Sequence, residues 1–136
     1  MIAAADTRSA LSDVIDLLQR YFDALYDSDA DLLGEVLHPT AIYATANDGS
    51  LLRLSMQRYL PIVADREPPA ARHEPRTDAV ESIQFAGPNT AMARVRCSIG
   101  PKHFTDLLTL LRIDGRWWII AKIFSFALRD QHPQEA

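Results

Sequence analysis

Lys122 is the residue whose type and position point most directly to chemistry. It interrupts an apolar segment near the carboxyl end of the chain, between Ile120 and the pair Ile123 and Phe124. An ammonium group in such a segment must reach solvent, pair with an acid or line a cavity. In a cavity, a lysine desolvated by apolar neighbours can serve as an acid, a base or an anchor for an anion. We expect Lys122 to line a cavity, with the solvent-reaching and ion-pair alternatives left open.

The partners of Lys122 are predicted from the register of a hairpin. Asp114-Gly115 is a two-residue turn signal between two strand-like segments. Pairing the strands directly across this turn places Lys122 opposite Leu107, and it puts Asp106 on the other face unless a bulge shifts the register. The predicted face around Lys122 is mostly apolar with a few polar groups, as in a ligand site. Its expected members are His103, Thr105, Thr109, Leu111, Trp118, Ile120 and Phe124.

Other aromatic and polar side chains are candidates for the same cavity. Tyr21 lies on the apolar face of a predicted helix, where it can pack in the core or donate its hydroxyl to a ligand. Tyr43 and Thr45 share one side of a predicted strand, and Tyr59 belongs to the apolar face of another helix. His103 can be either a partly exposed histidine or a base in the cavity. We expect ligand contact from these residues, with packing or exposure as the alternative.

Several other kinds of site lack support in the residue spacing. No His, Cys, Asp or Glu residues have metal-ligand spacing, and the five glycines are too dispersed for a phosphate-binding loop. Cys97 is the only cysteine, which excludes an intrachain disulfide and favours a reducing cytoplasm. Its alternation with apolar residues predicts a buried small hydrophobe. We therefore expect neither a metal nor a cofactor.

Length and charge limit the classes of partner. The 136 residues are 48% hydrophobic and 24% charged, which predicts one domain over 1–136 with tails at 1–8 and 129–136. A formal net charge of -4 and scattered basic residues argue against a nucleic-acid or anionic-membrane surface. No apolar segment approaches the roughly 20 residues that span a bilayer, and the chain start lacks a secretion signal. These features predict a cytoplasmic protein.

The elements that position the candidate residues follow from hydrophobic periodicity. Helical spacing predicts helices over 9–27, 30–37 and 56–64, the last of them kinked or shortened by Pro61. Alternation and turn residues predict strands over 40–46, 51–54, 79–85, 90–99, 103–113 and 117–127. Helices followed by antiparallel strands are typical of an α+β fold. The last strand is apolar on both faces, so we expect helices to cover one face and a second subunit to cover the other.

Two regions of the chain resemble a known superfamily. The segments 18–25, 28–32 and 36–41 look like the opening of nuclear transport factor 2-like proteins, and 106–124 resembles their closing hairpin. Together they are most similar to the SnoaL-like, putative lumazine-binding branch, over about 9–128. The resemblance implies a cone-shaped roll in which three helices pack on a strongly curved antiparallel sheet. It also implies an internal pocket and homodimers formed through the sheet.

The enzymes of this superfamily can be compared position by position. Tyr21 matches the oxyanion-binding tyrosine of ketosteroid isomerases, but Thr45 and Thr109 stand where those enzymes have their two aspartates. A threonine hydroxyl is not an efficient base at neutral pH, so steroid-isomerase chemistry is not expected. Polyketide cyclases place an acid or base near the position of Lys122. A scytalone-dehydratase-like site needs two histidines, and only His103 is suitably placed.

Two functional hypotheses remain from the sequence. The first is a domain that binds a small apolar or aromatic molecule. If this domain is an enzyme, we expect a metal-free isomerase, cyclase or dehydratase-like lyase that acts by proton transfer. Lys122 would then be the acid, base or anion anchor, and Tyr21 the hydrogen-bond donor. The second is a non-catalytic homodimer that binds a ligand or a protein. A catalytic cavity should contain at least two converging titratable groups, which distinguishes the hypotheses.

Overall fold

Helices fill most of the first half of the chain and strands the second. The structure is a computed structural model that describes residues 4–128, with side chains from residue 8. The helices are α1 (Ala4–Asp27), α2 (Ala30–Val36) and α3 (Met56–Asp65), followed by a short 3-10 helix, Pro69–Arg72. The strands are β1 (Leu37–Thr45), β2 (Leu52–Leu54), β3 (Ala79–Phe85), β4 (Thr90–Ile99), β5 (Lys102–Ile113) and β6 (Arg116–Leu128). The predicted tail at 129–136 lies outside the described residues.

Local capping explains where the shorter helices begin. The carboxylate of Asp29 accepts a hydrogen bond from the Leu32 backbone at 3.0 Å and caps α2. The hydroxyl of Ser55 accepts one from the Arg58 backbone at 3.3 Å and caps α3. Pro61 lies inside α3 without ending it, so the helix continues past the predicted end at residue 64. Within residues 4–128, no helix is long and apolar enough to cross a bilayer.

Six strands of the described chain form one mixed sheet in the order β2-β1-β6-β5-β4-β3. All neighbouring strands are antiparallel except β1 and β6, which are parallel. The predicted α+β class is therefore confirmed, but the sheet is not wholly antiparallel. The hairpin turns set the direction of β3 to β6, whereas no turn joins β1 to β6, so their direction depends on packing.

The β5–β6 hairpin has a register that the direct pairing did not predict. Next to the turn the pairs follow the prediction as far as Leu110 opposite Ile119. The next pair is Thr109 opposite Ala121, so Ile120 is an extra residue in β6. Beyond this bulge Lys122 lies opposite Leu108, and the predicted pairing with Leu107 is wrong. A one-residue shift exchanges the two faces of one strand relative to the other, which brings Asp106 to the face of Lys122.

The two faces of the sheet differ in what covers them. The inner face packs on the helices, and Leu108, Leu110 and Ile119 on it are fully buried in the hydrophobic core that the helices complete. The outer face exposes large aliphatic side chains on four adjacent strands. These are Ile42, Met92, Leu107 and Ile123, each 38 to 42% exposed. The candidate site therefore lies on the inner face.

Candidate binding and proton-transfer site

The inner cavity lies between the inner face of the sheet and helices α1 and α3. Its empty volume is about 280 Å³, part of it open to solvent, and only a water-sized space is enclosed. Its polar lining comprises Arg66, Asp106, Lys122 and the tyrosines Tyr43 and Tyr59. The rest of the wall is Leu25, Cys97, Ile99, Phe104 and Phe124. The cavity thus combines an apolar wall with both signs of charge.

Lys122 is a buried cation within a group of aromatic rings. It is 5% exposed, and its Nζ donates a hydrogen bond to the Tyr59 hydroxyl at 3.2 Å. The ring centroids of Tyr21, Tyr43, Tyr59 and Phe124 lie 5.1 to 5.7 Å from Nζ, within the range of cation–π attraction. These contacts replace part of the solvation that the ammonium group loses on burial.

The protonation of Lys122 follows from two opposed effects. Burial lowers its pKa, but the Tyr59 hydroxyl and the Asp106 carboxylate raise the pKa by more, to well above its ordinary value. Lys122 is therefore a fixed cation at neutral pH. Of the roles left open by the sequence, an anchor or stabiliser of negative charge fits this state better than a base.

Asp106, in the cavity lining, forms a buried pair with Tyr21, which lies behind it. The Tyr21 hydroxyl donates to Asp106 Oδ2 at 2.6 Å, and the two residues are 0% and 1% exposed. Burial, together with the negative charge of Asp106, raises the pKa of Tyr21 well above its ordinary value, so the phenol keeps its proton. Asp106 Oδ1 is buried and has no hydrogen-bond partner among the described residues. One carboxylate oxygen is thus held in place, and the other is free to bind a ligand or a proton.

Arg66 is a cavity residue that the sequence reasoning missed. It caps the C-terminus of α3, and its Nε and Nη2 atoms are buried without hydrogen-bond partners among the described residues. A signal for it was available, because Arg66 follows Tyr59 and Val63 at helical spacing on the buried face of α3. The site therefore contains two cations and one carboxylate.

Stacked aromatic rings form one wall of the inner cavity. Tyr43 and Tyr59 stack with centroids 4.2 Å apart and planes 29° apart, and Tyr43 also packs on Phe124 at 4.8 Å. Burial raises the pKa of Tyr43 despite the opposing effect of Lys122, so its hydroxyl is neutral. Phe104, half-buried, packs on Phe124 at 5.8 Å. This wall suits a flat ligand.

Thr45 lies beside the cavity rather than in its lining. Its hydroxyl donates to the Phe124 backbone carbonyl at 2.5 Å, and the residue is 7% exposed. That hydrogen bond connects β1 to β6 and occupies the hydroxyl. Thr45 therefore positions the strand that carries Phe124.

Six of the seven expected neighbours of Lys122 lie away from the inner cavity because of the bulge in β6. Thr105, Thr109 and Leu111 alternate with buried residues of β5 and face outward, and Ile120 is the bulged residue itself. His103 contacts Ser98 Oγ through its Nδ1 at 3.0 Å and lines a separate groove. Trp118 stacks under the guanidinium of Arg116, 3.7 Å from the ring centroid. The prediction that these six share a face with Lys122 is wrong.

The described part of the chain contains no cluster of side chains suited to metal binding. No group of three or more His, Cys, Asp or Glu residues between 4 and 128 could hold a metal ion. Cys97 lines the inner cavity, but burial raises the pKa of its thiol to about 12. A thiol with that pKa is a poor nucleophile at neutral pH. The polar groups of the lining are one carboxylate, two cations and two phenols.

Comparisons with known proteins agree with this fold. A protein of the NTF2-like class and of unknown function from Silicibacter pomeroyi has a TM-score of 0.79 at 22% identity, over 89% of this chain and 98% of that one. One from Shewanella baltica has a TM-score of 0.78 at 19% identity, over 93% and 98%. A ketosteroid isomerase-like protein from Erwinia carotovora atroseptica has a TM-score of 0.66 at 9% identity, over 85% and 95%. At these identities the likeness shows the fold alone.

The family assignment comes from sequence. No curated protein matches the chain. A family model described as "Putative lumazine-binding" matches residues 9–125, which is most of the chain. The structural neighbours share the fold described above, in which helices pack on a mixed sheet. The chain therefore belongs to the putative lumazine-binding family, and it has the fold of the nuclear transport factor 2-like structures.

Proposed function

We propose that this protein binds a small planar carbonyl compound in the inner cavity and catalyses proton transfer on it. The observation that carries the proposal is the convergence of Asp106, Lys122 and Tyr59 on one cavity with an aromatic wall. A carboxylate with an unpartnered oxygen beside a fixed cation is a pairing suited to acid–base work. A cavity with Lys122 as its one titratable group would have favoured the non-catalytic alternative.

The proposed step moves one proton from carbon to oxygen. Asp106 Oδ1 accepts a proton from a carbon next to the ligand carbonyl, and the C–H electron pair shifts to the carbonyl oxygen as an enolate. Lys122 and the Tyr59 hydroxyl stabilise the charge on that oxygen, and return of the proton to another carbon gives an isomer. A positioned base contributes about 10²–10⁴-fold, and a donor to the oxyanion about 10²–10³-fold.

Tyr21 has a supporting role in this scheme. Its hydrogen bond to Asp106 Oδ2 fixes the carboxylate, and Oδ1 has no partner among the described residues and is the oxygen proposed to meet the ligand. Because the phenol keeps its proton, Tyr21 stays a donor throughout the step. The proposed role is therefore that of a positioning residue, in contrast to the direct contact with substrate expected from the sequence.

Ligand shape also supports the proposal. The name of the family points to lumazine, a flat bicyclic compound with carbonyl groups, which suits the Tyr43 and Phe124 faces. The enclosed space is only water-sized in this structure, so a bicyclic ligand can enter only after lining side chains such as the half-buried Phe104 rotate.

The proposal is tested by binding and by isotope exchange. Lumazine and a panel of planar cyclic ketones are titrated against the protein, and binding is followed by ligand fluorescence and NMR line broadening. For the ketones that bind, deuterium uptake at the carbon next to the carbonyl is measured in D₂O. We expect uptake with the wild type and a loss of about 10²-fold or more with Asp106→Asn. Asp13→Asn, an exposed acid on α1, is the matched control.

Two results would count against this function. Uptake that is unchanged in Asp106→Asn would remove Asp106 as the base. Binding without any catalysed uptake, across the whole panel, would favour the non-catalytic binding module.

We also propose that two copies of the protein associate through the outer face of the sheet. Leu107 and Ile123 are direct cross-strand partners there, and each is about two-fifths exposed. Ile42 and Met92 extend the apolar surface to the strands on either side. Exposed apolar patches of this kind mark association surfaces. Sedimentation velocity should give a dimer for the wild type and a monomer for Leu107→Glu; a wild-type monomer at high concentration would contradict the proposal.

A further inference from the structure

We infer that the ligand of the inner cavity is an aromatic anion whose carboxylate, or a group of the same shape and charge, binds Arg66. The inference rests on the proposed binding role of the cavity and names the class of compound that enters it. Neither the family description nor the structural neighbours assign a role to Arg66 or a charge to the ligand.

The charges that line the cavity do not balance. Arg66 and Lys122 are two cations, and Asp106 is the one acidic side chain in the lining. No ion pair within 4.0 Å joins Asp106 to either cation, and its held oxygen already accepts from Tyr21. The site therefore has a net charge of about +1, because one carboxylate offsets one of two cations. Buried charge without a counterion is costly, so an anionic ligand gains more from this cavity than a neutral one.

The orientation of Arg66 suits a carboxylate in particular. The two buried and unpartnered atoms of its guanidinium are Nε and Nη2. Their N–H bonds lie along the same edge of the planar group and are nearly parallel. That edge is the one that binds the two oxygens of a carboxylate in a bidentate fashion. An unpartnered pair of donors on this edge, inside a cavity, is a binding element that the fold itself does not use.

The rest of the wall argues for an aromatic body on the anion. Tyr43, Phe104 and Phe124 supply ring faces next to the charged groups. A small inorganic anion would balance the charge but would leave these faces in contact with water. A flat ring with one acidic group uses both parts of the lining, because the rings contact its body and Arg66 binds its end.

The test compares ligands that differ only in charge. Benzoate and 2-naphthoate are titrated by calorimetry and NMR beside benzamide and 2-naphthamide, which have the same rings and no charge. We expect each carboxylate to bind about tenfold or more tightly than its amide, since charge-assisted hydrogen bonds are the stronger ones. Arg66→Gln should reduce that preference to within about twofold while the amides bind as before. Arg58→Gln, an exposed arginine of the same helix, is the matched control.

The outcomes separate this inference from the proposed function. Amides that bind as tightly as the carboxylates would overturn the anion preference and leave the cavity as a binding site. A preference that persists in Arg66→Gln would overturn the role of Arg66. Sulfate that binds as tightly as 2-naphthoate would overturn the need for an aromatic body. No binding by any member of either series would overturn both the inference and the binding role of the cavity. Circular dichroism of Arg66→Gln verifies that the variant is folded.

Discussion

Replacing Tyr21 by phenylalanine tests whether the buried pair with Asp106 stabilises the fold. The substitution deletes one oxygen and keeps the ring, so the packing of a fully buried side chain is retained. What is lost is the 2.6 Å hydrogen bond to Asp106 Oδ2. Since Oδ1 has no partner among the described residues, both carboxylate oxygens would then be buried without a donor.

The expected cost is large for the loss of a single oxygen. A hydrogen bond to a charged group contributes roughly 1.5–3 kcal/mol net, and leaving a buried charged acceptor unsatisfied puts the loss in the upper part of that range. We expect Tyr21→Phe to lower the free energy of unfolding by about 2–3 kcal/mol. For a chain of this length the midpoint of thermal unfolding should fall by roughly 6–15 °C.

Tyr26 provides a matched control on the same helix. Its hydroxyl donates over the same 2.6 Å, but to the backbone carbonyl of Glu74 and at a half-buried position. A bond to a neutral acceptor contributes only about 0.5–1.5 kcal/mol. Tyr26→Phe should therefore cost clearly less than Tyr21→Phe.

Urea unfolding at neutral pH, followed by circular dichroism, gives both values under the same conditions. The dependence of free energy on urea should keep the same slope in all three proteins, which indicates that the unfolded states are comparable. If Tyr21→Phe costs no more than Tyr26→Phe, Asp106 must obtain its stabilisation elsewhere. Tyr21 would then not be the residue that positions the carboxylate.

Three further predictions concern stability. Burial raises the pKa of the Cys97 thiol to about 12, so the folded state keeps a proton that the unfolded chain loses near pH 8.5. The free energy of unfolding should therefore fall above about pH 8.5, by less than about 1.4 kcal/mol per pH unit. Cys97→Ala should remove this pH-dependent component, measured by urea unfolding at pH 8, 9 and 10. An unchanged pH dependence in that variant would contradict the assignment. Thr45→Val should cost about 1 kcal/mol in the same assay because the carbonyl of Phe124 loses its buried donor, and a neutral result would show that the bond contributes nothing. Gly115→Ala should cost about 1 kcal/mol or more because the hairpin turn holds φ at +81° there, and an unchanged thermal midpoint would refute that reason.

Most of the elements could be predicted because their signals are local. β3 and β4 have the predicted bounds, since alternating residues and Gly-Pro turns define them without reference to the rest of the chain. The parallel pairing of β1 with β6 could not be predicted in this way. These strands are far apart in sequence, and only the packing of the helices on the sheet brings them together.

The candidate site was predicted in part. The interruption of an apolar strand by Lys122 indicated a buried cation, and the structure places it in the lining of the inner cavity. Of the seven residues expected to share the face of Lys122, only Phe124 does so, because a strand that is apolar on both faces gives no sign of a bulge. Arg66 was missed because a charged residue at the end of a helix ordinarily lies in solvent.

The sequence alone determined the types of group that the cavity contains and the strands and helices that carry them. Its lysine, its tyrosines and the double-sided apolarity of its last strand are properties of local segments. Tertiary structure decided which of these groups meet. The bulge at Ile120 exchanged the faces of the last hairpin and brought Asp106 to the side of Lys122, while Thr105 and Thr109 moved outward. A shift of one residue has this effect because side chains alternate along a strand, and its energy depends on contacts with Tyr21 and Tyr59, which belong to helices distant in sequence.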